Sequence, residues 1–256
     1  MFFDRYIKHA AIVVALGLAG AEAVVGQMTA PRDSLFVAMP SVVAPQIAAL
    51  GERARRPGKE KITFVGQYVD ASGNHPAQVT YQVPGLVRIE GFKPGSASIT
   101  FDGERSYGSS SAADDAFLET FTMDTVEGML ASAKRSAGLR LLGRQFQPHP
   151  KNFPKYAGPR YDIYEVAAPV RSRQDQLVRL KRYYFDSKTG WLVRTRYRDR
   201  TTSRPVTVET RFSGWRTIDG SAYPGRIDRY ENNQATFSFV VANISAGPRV
   251  EPAAFR

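Results

Sequence analysis

The sequence predicts one mainly β (α+β) domain, an antiparallel sheet with enough strands to curl into a barrel or half-barrel. Three observations predict it. From residue 60 onward, apolar and aromatic residues alternate with polar ones at period two in one stretch after another. Clusters of Gly, Asp, Asn and Pro separate those stretches. Residues 113–135 alone carry a long run at helical spacing. The length of 256 residues agrees, because β barrels and sandwiches reach roughly 250 residues as single units.

The chain opens with a predicted signal peptide, residues 1–26, which leaves residues 27–256 as the mature domain. Arg5 and Lys8 supply a short positive region, and an apolar run follows from Ala10 to Ala21. Twelve such residues fall short of the about 20 that span a bilayer and suit the apolar core of an export signal. Small residues allow cleavage after Ala23 or after Gly26. An uncleaved membrane anchor is the other reading of this segment. Export places the domain in the periplasm.

Residues 42–55 are expected to form a short amphipathic helix after Pro45, with Ile47, Leu50 and Ala54 on one face and Pro57-Gly58 as its stop. Period two begins with Ile62, Phe64 and Tyr68 and continues through Val79, Tyr81 and Val83, then Leu86–Ile89, then Ile99 and Phe101. Asp102-Gly103 marks a hairpin, since glycine tolerates the positive φ of such turns. Residues 113–135 are read as two short helices with a break near residues 122–124. Asp114 and Asp115 favour the positive end of the first, and Thr125 restarts the second. Ser109–Ser111 is read as a flexible loop. Strands follow at 139–146, 161–166, 177–186, 191–198, 206–215, 223–231 and 235–244, for ten or eleven in all.

The formal net charge is +11. Residues 171–230 hold fifteen Arg or Lys against six Asp or Glu, so the meander carries most of the excess. Arg194, Arg196, Arg198 and Arg200 recur at period two and would share one strand face, opposite Trp191, Val193, Thr195 and Tyr197. Single-stranded nucleic acid is bound by aromatics interleaved with basic residues on one side, and this parity separates them. A basic outer face could meet an anionic membrane surface or an envelope protein.

Cysteine is absent, which removes disulfides, thiolate metal sites and a cysteine nucleophile. The three histidines are His9 in the signal segment and His75 and His149, read as lying in loops. With no clustered His or carboxylate spacing, no metal, cofactor or catalytic residue is expected. No GxSxG elbow occurs either.

Two C-terminal stretches carry a family resemblance. Tyr183-Tyr184-Phe185-Asp186-Ser187-Lys188-Thr189-Gly190-Trp191-Leu192-Val193 and Phe212-Ser213-Gly214-Trp215-Arg216-Thr217-Ile218-Asp219-Gly220-Ser221-Ala222-Tyr223-Pro224 resemble strand–turn–strand segments of the periplasmic lipoprotein-carrier superfamily, the LolA-like lipoprotein-sorting proteins. Pro252-Ala253-Ala254-Phe255 fits its C-terminal strand. The resemblance covers roughly residues 42–256. It implies a half-open, curved antiparallel β-barrel with helices covering the concave side. It also implies an apolar cavity for acyl chains and a non-enzymatic, monomeric carrier of lipid or acylated lipoprotein. The implied lining is Phe64, Tyr68, Val79, Tyr81, Ile99, Phe101, Trp191, Val193, Phe212, Phe237 and Phe239, with Phe117, Phe121 and Met129 on the inner face of a helical lid. One departure stands out. Where the carriers have an arginine before a proline that helps to hold the lid shut, this chain has Val83 before Pro84, with Arg88 beyond. A binding or sensor module on the same fold is the second reading, and an enzyme the third.

Overall fold

The computed structural model describes residues 43–55, 60–82, 85–92, 98–103, 105–108, 111–136, 139–146, 160–169, 178–199 and 204–255. The signal segment, Val83-Pro84, His149 and Arg200 lie outside the described residues.

Two short helices come first, α1 (Ala44–Ala48) and α2 (Glu52–Arg55). The single helix expected here is broken at Gly51, whose φ of +74° suits a residue without a side chain. That close approach lets Gly51 bridge to Ser221. The strands are β1 (Glu60–Asp70), β2 (Gly73–Gln82), β3 (Leu86–Glu90), β4 (Ile99–Asp102), β5 (Ser106–Tyr107), β6 (Leu139–Phe146), β7 (Arg160–Pro169), β8 (Val178–Asp186), β9 (Leu192–Asp199), β10 (Val206–Ser213), β11 (Arg216–Ile218), β12 (Ser221–Tyr223), β13 (Arg226–Glu231) and β14 (Gln234–Pro248). His75 lies in β2, opposite Tyr68 of β1, and not in a loop.

Twelve of these strands form one antiparallel sheet in the order β5-β4-β3-β2-β1-β14-β13-β10-β9-β8-β7-β6. β5 and β6 stay at opposite ends, so the sheet curves without closing. The last strand inserts beside the first, where Phe64 faces Ile244 and Tyr68 faces Phe239. β11 and β12 form a small separate hairpin where one continuous strand to Trp215 and another from Tyr223 were expected. Asp219, at φ +48°, makes its turn. Asn232 and Asn233, at φ +49° and +67°, make the β13–β14 turn, as such hairpins require.

The helical insertion falls where the sequence places it: α3 (Ala112–Thr122) and α4 (Val126–Ser136). Ser111 caps α3 in a reciprocal capping box with Asp114, while Ser109 and Ser110 of the expected loop lie outside the described residues. Thr125 Oγ1 accepts the Gly128 N–H at 3.0 Å and starts α4. Gly128 is required at this elbow, because a Cβ there would come within 2.3 Å of the Thr122 carbonyl oxygen. α3 lies against β3 and β4, and α4 against β7. The two helices therefore reach toward both arms of the curved sheet.

Candidate functional site

The concave face of the sheet and the helices over it enclose three distinct environments. The first is a solid aromatic core. Phe117 of α3 is fully buried, and its ring lies 4.8 Å from Tyr68, 5.3 Å from Phe237 and 5.7 Å from Phe239. Tilted and edge-on contacts of this kind favour a tightly packed interior. Val79, Ile99 and Met129 are buried in the same cluster.

The second is an ionic clasp between helices and sheet. Lys181 on β8 shares the inward parity of Tyr183 and Phe185 and is only 2 % exposed. Its Nζ donates to Asp124 Oδ1 at 2.6 Å and to Glu119 Oε1 at 2.8 Å. Arg229 on β13 and the Tyr197 hydroxyl both donate to Glu119 Oε2, at 3.1 and 2.8 Å. Thr210 donates to Asp124 Oδ2 at 2.5 Å, and Tyr183 donates to the Met123 carbonyl at 2.7 Å. Burial alone would raise the Glu119 carboxyl, but Lys181 and Arg229 outweigh it and hold the group well below the usual carboxylate range. Burial likewise works against the Lys181 ammonium, yet Asp124 and Glu119 raise its pKa. The clasp ties the α3–α4 elbow to β8, β9, β10 and β13.

The third environment is hollow. A cavity of about 230 Å³ opens between α4 and the β2–β4 end of the sheet. Its apolar walls include Phe101 and Ala131, with Met123 at the elbow and Lys134 also on the lining. A second void of about 40 Å³ adjoins the same Tyr81 and Glu127 and is walled by Phe64, Phe121, Phe212 and Trp215. Between and around the two lie Tyr81 (6 % exposed) and Glu127 (3 %), with Arg53 Nε 3.5 Å from Glu127 Oε1.

Twelve of the fourteen expected lining residues are therefore buried in the core cluster, but few of them touch empty space. Tyr81 and Phe101 line the larger cavity, and Phe64, Tyr81, Phe121 and Phe212 line the smaller. Tyr68, Val79, Ile99, Phe117, Met129, Phe237 and Phe239 pack the solid centre. Trp191 and Val193 leave the pattern. The β8–β9 register shifts between Tyr184 and Phe185, so Phe185 faces Leu192 and Tyr184 faces Arg194. This bulge turns Leu192 inward and leaves Trp191 half-buried, stacked 5.7 Å from Trp215.

The convex face differs from expectation in one respect. Arg196 and Arg198 point outward, and Arg194 shares their face. Tyrosines from neighbouring strands join them. Arg194 lies 4.0 Å over the Tyr184 ring, and Arg211 lies 4.3 Å over Tyr230. Parity along β9 separates aromatics from arginines, but pairing across strands brings them together. Glu165 and Glu209 lie buried beneath Arg182 and Arg211.

Among the described residues, no group of three His, Asp or Glu is placed to hold a metal ion. Ser72, His75 and Asp70 meet in an exposed turn, where the Ser72 hydroxyl lies 2.5 Å from Asp70 Oδ1 and 3.1 Å from His75 Nε2. In a hydrolytic triad the imidazole bridges the other two groups. Here the serine bridges, as in an aspartate-capped turn. No helix among the described residues is long and apolar enough to cross a membrane.

The clasp was missed at the sequence level. Its signal was present: Lys181 and Arg229 each sit on the apolar parity of a strand, beside Tyr183 and Ile227. Neither cavity could be read in advance, because a void depends on how side chains fail to fill space.

Comparison with solved structures identifies the fold. Over 84 % of this chain and 96 % of the other, the protein superposes on a LolA superfamily protein from Nitrosomonas europaea with a TM-score of 0.51 and 11 % identity. A Vibrio parahaemolyticus domain named for outer-membrane lipoprotein sorting matches at a TM-score of 0.51 and 11 % identity, over 84 % of this chain and 94 % of that one. A DUF1329 family protein from Desulfovibrio piger matches at 0.53 and 12 %, over 84 % and 96 %. The fold is thus LolA-like, a large curved antiparallel sheet not closed into a barrel. No protein-family model and no curated protein sequence matches the chain.

Proposed function

We propose that this protein is a periplasmic, non-enzymatic carrier that holds one acyl chain in the cavity beneath α4. The observation that carries the reading is that cavity: about 230 Å³ with mostly apolar walls, between the helical cover and the sheet. A 150 Å³ apolar cavity accommodates benzene, so by proportion about nine carbons fit here. Each buried methylene contributes about 0.8 kcal/mol, enough for a single chain to bind reversibly. The LolA-like fold supports the reading, and so does the neighbour named for lipoprotein sorting. The solid aromatic centre limits capacity while the clasp is closed. Longer or multiple chains would require α3 and α4 to move.

The test is native mass spectrometry of the mature protein purified from the periplasm, followed by lipid extraction. Wild type should carry an acylated ligand. Ala131→Phe, which fills the cavity, should carry none and remain folded. Protein that is free of ligand and takes up no acyl chain from vesicles would overturn the reading.

The convex face favours a second reading, a binding module for an anionic membrane surface. Arg182 and Arg211 are about half exposed, while the carboxylates that pair with them are buried. Vesicle binding that depends on anionic lipid and salt, by a protein without ligand, would favour it.

A further inference from the structure

The convex face sets arginine opposite arginine twice. Arg182 of β8 lies in register with Arg196 of β9, and Arg194 of β9 lies in register with Arg211 of β10. Like charges directly opposite on neighbouring strands destabilise a sheet. Two such pairs side by side are a cost that a bound anion would relieve.

The groups are held, yet much of their hydrogen-bonding capacity is unused. Arg182 donates through Nε to Glu165 at 2.9 Å, and Arg211 donates through Nε to Glu209 at 2.6 Å. Both arginines remain about half exposed. A guanidinium has five N–H donors, and these bonds use one from each. Arg194 is steadied by stacking 4.0 Å over the Tyr184 ring. The two carboxylates offset only part of the charge, because Glu165 is shared with Arg140 and Glu209 with Arg194. Arg196 is exposed, and no ion pair engages it among the described residues. Glu209, in register with it on β10, is turned to Arg211 and Arg194 instead.

Paired guanidiniums suit the oxygens of phosphate. The two pairs are offset by one strand and two residues, so they stand about 8 Å apart. Two phosphates joined through a glycerol bridge can reach both. Leu180 shares this face, two residues before Arg182 on β8. At 61 % it is the most exposed large apolar side chain among the described residues. A bare leucine beside arginines fits a bilayer surface, where it enters the acyl region while they meet the phosphates. A soluble polyanion would gain nothing from it.

Resting on the reading of this face as a membrane-binding surface, we infer that the Arg182–Arg196 and Arg194–Arg211 pairs recognise a lipid headgroup that carries two linked phosphates, of the cardiolipin type. The preference is for the linkage, beyond the attraction that any anionic surface exerts.

The test is flotation of the mature protein with phosphatidylcholine vesicles that contain either cardiolipin or twice the mole fraction of phosphatidylglycerol, which matches the phosphate charge. Cardiolipin vesicles should bind at least about fivefold more tightly, because one headgroup engages both pairs in a single event. Arg196→Gln breaks one pair and should reduce that preference to below about twofold. Arg198 faces Thr207, outside both pairs. Arg198→Gln should therefore weaken both kinds of vesicle alike, by about fivefold, and keep the preference. Equal loss of preference in the two variants would overturn the assignment to the pairs. Leu180→Ser should weaken both vesicles, and unchanged binding would overturn the lipid source in favour of a soluble diphosphate. Polyphosphate should displace the protein at a lower charge concentration than polyglutamate. The reverse order would assign the face to an acidic protein and overturn the inference. Equal binding of the wild type to the two vesicles would overturn the inference and leave the membrane-surface reading standing. Binding to neither would overturn both.

Discussion

Two polar clusters lie buried under the same pair of helices, and they are finished to different degrees. At the clasp, Lys181, Asp124, Glu119, Tyr197 and Thr210 meet in hydrogen bonds of 2.5–2.8 Å. Only Arg229 has unbonded nitrogens there, and each lies 3.8 Å from a carboxylate. At the Arg53–Tyr81–Glu127–Trp215 notch, Arg53 Nε and Glu127 Oε1 meet only as a 3.5 Å ion pair and Trp215 Nε1 is buried without an acceptor, and two voids adjoin the group. A buried network with its demands satisfied rigidifies the structure around it. A looser set beside a cavity contributes less, so the clasp is what holds the helical cover in place.

The largest effect should come from breaking the clasp. Lys181→Met leaves Asp124 buried without its ammonium partner and should cost about 3–5 kcal/mol in chemical denaturation. A loss below about 1 kcal/mol would mean that the clasp does not secure the cover. Its pH dependence follows from the shifts. The depressed Glu119 carboxyl contributes stability in full above its unfolded value of about 4.3 and loses it as pH falls through the lower folded value. The raised Lys181 contributes in full below about 10.4 and loses it only as pH rises through a higher folded value. The clasp contribution should therefore be level between about pH 5 and pH 9 and fall in strong acid. The difference in denaturation midpoint between wild type and Lys181→Met, followed across pH, reads this directly. A decline in that difference between pH 7 and pH 9 would contradict it.

A paired substitution sharpens the comparison. Tyr183→Phe removes the hydrogen bond to the Met123 carbonyl and should cost about 1–3 kcal/mol. Tyr81→Phe removes only a weak contact with Thr125 and should cost less than about 0.5 kcal/mol. Equal costs for the two would erase the distinction between clasp and notch. The smallest effect belongs to the outer face. Arg196→Glu with Arg198→Glu should shift stability by no more than about 0.5 kcal/mol per substitution while reducing retention on anionic vesicles. Unchanged retention would remove the face from any membrane role.

How far the sequence reached follows the same division. Period-two alternation and turn chemistry located the main sheet strands, because strand parity and positive-φ turns are local properties. The break between α3 and α4 was legible from Thr125 and the loss of spacing around it. The β9 bulge was not, since it depends on which residue of β8 pairs with Leu192, and that single shift moved Trp191 and Val193 off the core face. The short β11–β12 hairpin falls between two expected strands, in what reads from the sequence as their connection around Asp219-Gly220. Lys181 and Arg229 stood on apolar parities, a visible anomaly. Their partners come from the helical elbow 57 or more residues away, and no local pattern joins them. The notch draws on α2, β2, α4 and the segment after β10, so it exists only once the chain has folded.

The most direct test of the central claim is a crystal of the mature protein with 10-bromodecanoic acid, with the bromine located by anomalous diffraction. The account predicts one site for the bromine within the cavity among Phe101, Met123 and Ala131. A bromine on the convex face, or no ordered bromine at saturating ligand while the cavity keeps its present shape, would contradict the claim that this cavity binds acyl chains.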